Sequence, residues 1–286
     1  MSDFPRTTVG GVSLPRLICG SNWVLGFSHT SAAKDRLIKE LFDTPAKVAD
    51  VVEVFARHGC NAFMSMESEF VRQALDEVEQ RTGREMIWIV TPHWRAQGGE
   101  WNARGTFDDW RRTVQEVKRF RGTFCFPHQC TTDTLLDRQQ KQCMPDLIEL
   151  LRIVREEFEL IPGLSSHTPE SVVCADNTEA AVESYIQPYN AAGFLCQVET
   201  DWVQRIIQNA QKPVMTIKPL AAGRLLPPTG LAFVWNTIRD CDMVTIGTMS
   251  PYEAEEVIEI SRAQLERRTA EVHLQTTRSK ESLRIS

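Results

Sequence analysis

The stretch Cys125-Phe126-Pro127-His128-Gln129 is a short apolar run that ends in a histidine. Similar runs recur on both sides of it, each followed by a helical pattern, and several end in one polar residue. Toward the amino terminus, residues 86–91 are a continuous apolar run of the kind buried on both faces of a parallel sheet. Residues 61–65 read as a further strand with its helix through 69–81, and Leu17–Gly20 as the first strand. Between them a helix at 44–58 opens with Thr44-Pro45 and stops at Gly59. Residues 7–17 form a small hairpin that turns at Gly10-Gly11. The loop 21–33 carries Asn22, Trp23 and His29.

The central run closes a strand at 122–127, preceded by a helix at 108–120. Toward the carboxyl terminus, an amphipathic helix covers 146–158, with Leu147, Leu150, Leu151 and Val154 at helical spacing. Strands follow at 159–165, 193–198, 213–218 and 243–247. Helices are expected at 169–175, 178–185, 202–210, 231–239 and 251–267. Eight strands alternate with helices and no linker-like stretch divides them. The expected fold is therefore α/β, a (β/α)8 TIM barrel with an N-terminal β-hairpin. Residues 1–286 read as one domain, with 271–286 as a polar tail.

A length of 286 residues with 42% hydrophobic and 24% charged side chains suits one large core in a globular chain. A net charge of −6 and a pI near 5.6 argue against nucleic-acid or anionic-membrane partners. No apolar run approaches the roughly 20 residues needed to span a bilayer. The opening MSDFPRTTVGG lacks a charged segment followed by an apolar one, so a cytoplasmic location is expected. Eight cysteines without a CxxC pair read as reduced thiols, and a zinc site built of thiolates is not expected. Oligomeric state is left open.

A parallel barrel places its chemistry at the carboxyl ends of its strands. There stand Asn22, Glu67, His93, His128, His167, Glu199, Lys218 and Thr248. Histidines, carboxylates and a lysine on one face suit general acid–base work, or a metal held by imidazole and carboxylate. Each has a plainer reading. His128 can be a histidine bonded beneath a loop. His167 can simply precede a helix capped by Thr168 with Pro169 at its first position. Glu67 lies near a helix start, where the dipole favours a carboxylate anyway. Lys218, between Ile217 and Pro219, suits a desolvated amine of lowered pKa, as a base or Schiff-base former needs. An ion pair with Glu199 would instead keep it charged and inert. The segment IGTMSPYEAEE (246–256) opens a helix whose N–H groups are suited to a phosphate, with Gly247 allowing close approach. Glu253, Glu255 and Glu256 in its first turns oppose an anion.

Taken in order, HGCNAF, CFPHQ, GLSSHTPE, CQVE, KPLAAGRL and IGTMSPYEAEE resemble the aldo/keto reductase family, from Thr7 to about Leu265. The resemblance implies a barrel that binds NAD(H) or NADP(H) and reduces carbonyls with an Asp, Tyr, Lys, His tetrad. By motif, the tetrad histidine falls on His128. Ser165 and Gln197 fall where the nicotinamide carboxamide is held, and Gly247 and Thr248 in the cofactor phosphate loop. The departures are specific. Met64 stands at the aspartate position, no tyrosine follows it, and Pro92 stands near the lysine position. Ile217 replaces the aromatic that stacks on nicotinamide, and Glu253 lies where a basic residue grips a 2′-phosphate.

Three functions are consistent with this pattern. The first is a nicotinamide-dependent enzyme on a small carbonyl or sugar-like substrate, with His128 as proton donor and Lys218 or Glu67 in place of lost tetrad members. The second is a non-redox isomerase, epimerase, lyase or aldolase. It would use a divalent metal on His128, His167 and Glu199, or an acid–base set beside Lys218. The third is a catalytically inactive barrel used for binding.

Overall fold

An antiparallel hairpin, β1 (Arg6–Val9) and β2 (Val12–Pro15), leads straight into β3 (Leu17–Gly20). There follow β4 (Ala62–Ser65), β5 (Ile87–Val90), β6 (Phe124–Cys125), a short antiparallel pair β7 (Leu136–Asp137) and β8 (Gln142–Cys143), and β9 (Ile161–Pro162). The chain continues through β10 (Leu164–Ser165), β11 (Tyr185–Pro188), β12 (Val214–Ile217) and β13 (Met243–Ile246). The computed structural model describes residues 3–96, 98, 103–273, 280 and 283. Its main sheet runs β10-β11-β12-β13-β3-β4-β5-β6-β9 with every neighbouring pair parallel. β9 and β10 are two halves of one stave, so eight staves form the ring and the expected (β/α)8 barrel is observed. Gly163 parts the two halves. A Cβ there would collide with the Phe126 ring and the Ser184 carbonyl, so the chain passes this point only without a side chain.

The barrel interior is filled by alternate strand residues, among them Ile18, Ala62, Met64, Ile89, Phe124, Phe126, Ile186, Met215 and Met243. Val9 and Leu14 of the hairpin close its amino end. The outward strand faces, such as Leu17, Phe63, Trp88, Tyr185 and Val244, pack beneath the helices. Those helices are α1 (Asn22–Leu25), α2 (Ala32–Leu41), α3 (Pro45–Arg57), α4 (Glu69–Thr82), α5 (Phe107–Arg119) and α6 (Gln129–Thr132). The second half adds α7 (Pro145–Arg152), α8 (Glu170–Thr178), α9 (Thr200–Asn209), α10 (Pro227–Thr237) and α11 (Pro251–Glu266). Their starts are chemically marked. Pro45 sits at the head of α3, Ser68 Oγ accepts from Val71 N–H at α4, and Thr106 with Asp109 forms a reciprocal cap on α5.

The sixth strand corrects the sequence reading. It is β11, not 193–198, and residues 179–184 before it are not helical. The run at 193–198 looked strand-like because Leu195, Cys196 and Val198 alternate with polar neighbours. In the fold, the Asn190 side chain accepts from Phe194 N–H at 2.8 Å and donates to Phe194 O at 2.9 Å, winding this segment into a turn. Leu195 and Gln197 adopt φ of 57° and 62°, which no strand allows. Three further differences are local. α2 begins at the end of the stretch read as the loop 21–33 and runs on through residues given no element, α7 relaxes into a π-helical turn at Ile153–Glu157, and α8 is preceded by Pro169 rather than Thr168 as its cap. Most of the tail at 271–286 lies outside the described residues.

Candidate active site

At the carboxyl ends of the staves opens a cavity of about 800 Å³, walled by Trp23, Met64, His128, Ser165, His167, Ile186, Lys218 and Thr248 among others. That size is ordinary for a small-molecule site. Its floor is the apolar top of the barrel interior, and its polar groups come from separate strand ends.

Lys218 follows β12 directly. Its φ is 62°, and Ala221 and Ala222 just beyond it are also left-handed at 50° and 56°. Three such residues within five positions are costly for side chains with a Cβ, and strain of this kind is concentrated at functional sites. The amine meets His29 Nε2 at 3.1 Å, and the same nitrogen receives Asn22 Nδ2 at 3.1 Å. An ammonium can only donate, so toward the charged Lys218 the His29 Nε2 is the acceptor and the ring proton resides on Nδ1. Lys218 forms no ion pair with Glu199 or any other described carboxylate. Burial alone lowers its pKa to about 8.

His128 is placed by the fourth stave. Its N–H donates to Pro92 O at 2.8 Å, and its ring Nδ1 accepts from Cys130 N–H at 3.3 Å, capping α6. The neighbouring stave brings the His93 ring to a centroid distance of 5.9 Å. Burial, with His93 and Lys218 adding repulsion, drives the His128 pKa down to about 4. His167 is held by its N–H, which donates to Asp133 Oδ2 at 3.3 Å. Its pKa is pushed down to about 3, by burial first and then by Lys218. Both imidazoles are therefore neutral at pH 7.

Ser165, Gly247 and Thr248 line the same cavity. Thr248 Oγ1 is buried with no hydrogen-bond partner among the described residues, and so is Thr245 Oγ1 on β13. A Cβ on Gly247 would press on Gly20 O at 3.0 Å and Trp23 Cδ1 at 3.1 Å. The head of α11 is already occupied: Glu253 takes Met249 N–H at 2.7 Å, while Ser250 Oγ takes Glu253 N–H at 3.2 Å.

Several expected residues lie elsewhere. Gln197 and Glu199 are exposed on the turn after β11 and outside the cavity wall, Glu199 serving as the cap residue of α9. The metal set of His128, His167 and Glu199 is accordingly not assembled. Glu67 lies behind the wall beside Met66. Burial raises its pKa, and Oε2 has no hydrogen-bond partner among the described residues. Gln187 on β11 went unnoticed in the sequence. It is buried and donates to Ser171 Oγ at 2.8 Å, bracing the loop that carries His167. The run Tyr185-Ile186-Gln187-Pro188, bounded by a proline, was the available signal.

No protein-family model matches the chain, and neither does any curated protein. Solved structures do. A Pseudomonas aeruginosa protein assigned to the aldo-keto reductases matches with a TM-score of 0.64 at 16% identity, over 92% of this chain and 97% of that one. An aldo-keto reductase from Bacillus halodurans in its holo form gives 0.60 at 13% identity, over 95% and 99%. Aldose reductase from Giardia lamblia gives 0.55 at 12%, over 94% and 90%. At these identities the likeness is one of fold.

Proposed function

We propose that this chain, a barrel built like those of the aldo-keto reductases, is an enzyme that reduces a small carbonyl or sugar-like compound with NAD(H). The observation that carries the reading is the continuity of the cavity. One space joins the Lys218 amine and the neutral histidines to Ser165, Gly247 and the hydroxyl of Thr248, which has no partner among the described residues. Ser165 would meet the carboxamide of a nicotinamide, and the backbone at Gly247 with Thr248 its phosphate. When bound, the reduced nicotinamide supplies the hydride.

The proton comes from the chain. With no tyrosine after Met64 and with Pro92 near the lysine position, the ordinary acid is missing. His128 and His167, neutral at pH 7, are poor proton sources but remain good hydrogen-bonding groups for a carbonyl oxygen. Lys218, near pKa 8, is still mostly an ammonium at neutral pH and close enough to it to release its proton to a forming alkoxide. His29 orients it. Lys218 therefore replaces His128 as the proton donor in this reading. Glu253 sits on the helix head that a 2′-phosphate clamp would need, which favours NAD(H) over NADP(H).

Titration of the purified protein with NADH and NADPH, read by nicotinamide fluorescence, tests this. Saturable binding with NADH at least as tight as NADPH is expected. Binding of neither would remove the reading. The absence of any carboxylate against Lys218 among the described residues favours one other chemistry, an imine between its amine and a carbonyl substrate as in aldolases. Borohydride trapping with a carbonyl compound, followed by mass measurement of the Lys218 peptide, separates the two.

A further inference from the structure

We infer that His93, His128 and Cys130 form a binding site for one divalent cation of the zinc type at the mouth of the barrel. The three come from neighbouring strand ends, and their ligand atoms all lie within 4.8 Å of one another. Zinc–nitrogen bonds of about 2.1 Å and a zinc–sulfur bond of about 2.3 Å place tetrahedral ligands roughly 3.5 Å apart. Side-chain rotations of about an ångström therefore close the set.

The backbone already holds these residues together. His128 N–H donates to Pro92 O at 2.8 Å, and Trp94 N–H donates to Thr131 Oγ1 at 3.1 Å, so the segments on either side of His93 and Cys130 are stitched to each other. The bond from Cys130 N–H to His128 Nδ1, at 3.3 Å, fixes the imidazole beside the cysteine. Gln129 Nε2 donates to Cys130 Sγ at 2.9 Å and orients the sulfur. Binding would release the thiol proton to solvent.

Two imidazoles and one sulfur select a borderline-soft ion over calcium or magnesium. Three protein ligands leave a fourth position, and His128 and Cys130 both face the cavity. Arg95 beside His93 and Lys218 across the mouth both oppose the ion's charge, so the soft ligand set has to outweigh them. The proposal rests on the carbonyl reading only for what the ion would serve, polarising a carbonyl oxygen.

The test titrates chelator-treated protein with Co²⁺ alone. A single equivalent is expected to give the visible bands of a tetrahedral site and a near-ultraviolet thiolate-to-cobalt charge-transfer band. One equivalent of Zn²⁺ should bleach both. Cys130→Ser is expected to abolish the charge-transfer band, His93→Gln to weaken binding at least tenfold, and Cys241→Ser to change nothing. Absence of saturable Co²⁺ binding, or a band that survives Cys130→Ser or disappears with Cys241→Ser, overturns the site. Nicotinamide is absent from this experiment, so its failure is independent of the reductase reading. Cobalt bound without any NADH binding would retain the site and remove that reading.

Discussion

Lys218 is a cation kept in an apolar cavity mouth with a neutral imidazole as its hydrogen-bonding partner. Lowering its pKa from 10.5 to about 8 is the direct result of that burial. A proton donor of this kind loses competence as the ammonium is titrated away. The rate of carbonyl reduction at limiting substrate is therefore expected to fall as pH rises through about 8. In Lys218→Met that dependence should vanish along with turnover, by roughly a hundredfold to ten-thousandfold. The same burial works against the fold. A base whose folded pKa lies below its unfolded value is destabilising whenever both states are charged, because the buried ammonium is less well solvated. Urea unfolding at pH 7 should thus find Lys218→Met more stable, on the order of 2 kcal/mol. A variant that loses both stability and activity would place Lys218 among structural residues.

The fifth stave illustrates how much hangs on one atom at the level of an element. Gly163 lies where Phe126 of the interior and the Ser184 carbonyl close in, and the stave divides into β9 and β10 around it. Gly163→Ala is expected to cost about 1–3 kcal/mol by overpacking, read as a lower urea midpoint. Because Ser165 and His167 stand just beyond, the variant should also weaken ligand binding in the cavity. The neighbouring stave shows where local pattern fails. Residues 193–198 and β11 have similar apolar character over a few positions. Only the side-chain bonds of Asn190 decide that one of them is a turn. The misplacement of Gln197 and Glu199 follows from that single exchange, while the strands at Leu17–Gly20 and 243–247 were legible because their apolar runs have clear glycine or polar boundaries. α11 was equally legible, since Ser250-Pro251 writes its start.

For the molecule as a whole, the neutral histidines under the loops make the fold acid-sensitive. His128 and His167 titrate near 4 and 3 when folded and near 6.5 when unfolded. Between those values the unfolded chain binds more protons, so stability rises with pH and is lost on acidification below 6.5. Each group contributes at most about 1.4 kcal/mol per pH unit. Urea midpoints should drop between pH 7 and pH 5, and the drop should be smaller in His167→Asn. An unchanged drop would assign the acid sensitivity to other groups. The sequence by itself determined the alternation of apolar runs with amphipathic helices, and hence the barrel, with seven of its eight staves in place and the sixth put at 193–198 instead of β11, because most runs and caps are a matter of near neighbours. It also placed His128, His167 and Lys218 at strand ends. Tertiary structure alone decided which of those ends meet. Lys218 finds His29 rather than Glu199, and His128 finds His93 and Cys130 rather than a carboxylate. Such pairings join residues up to 189 positions apart. They exist only once the ring has closed and its register is set, and the burial that shifts their protons arises at the same step.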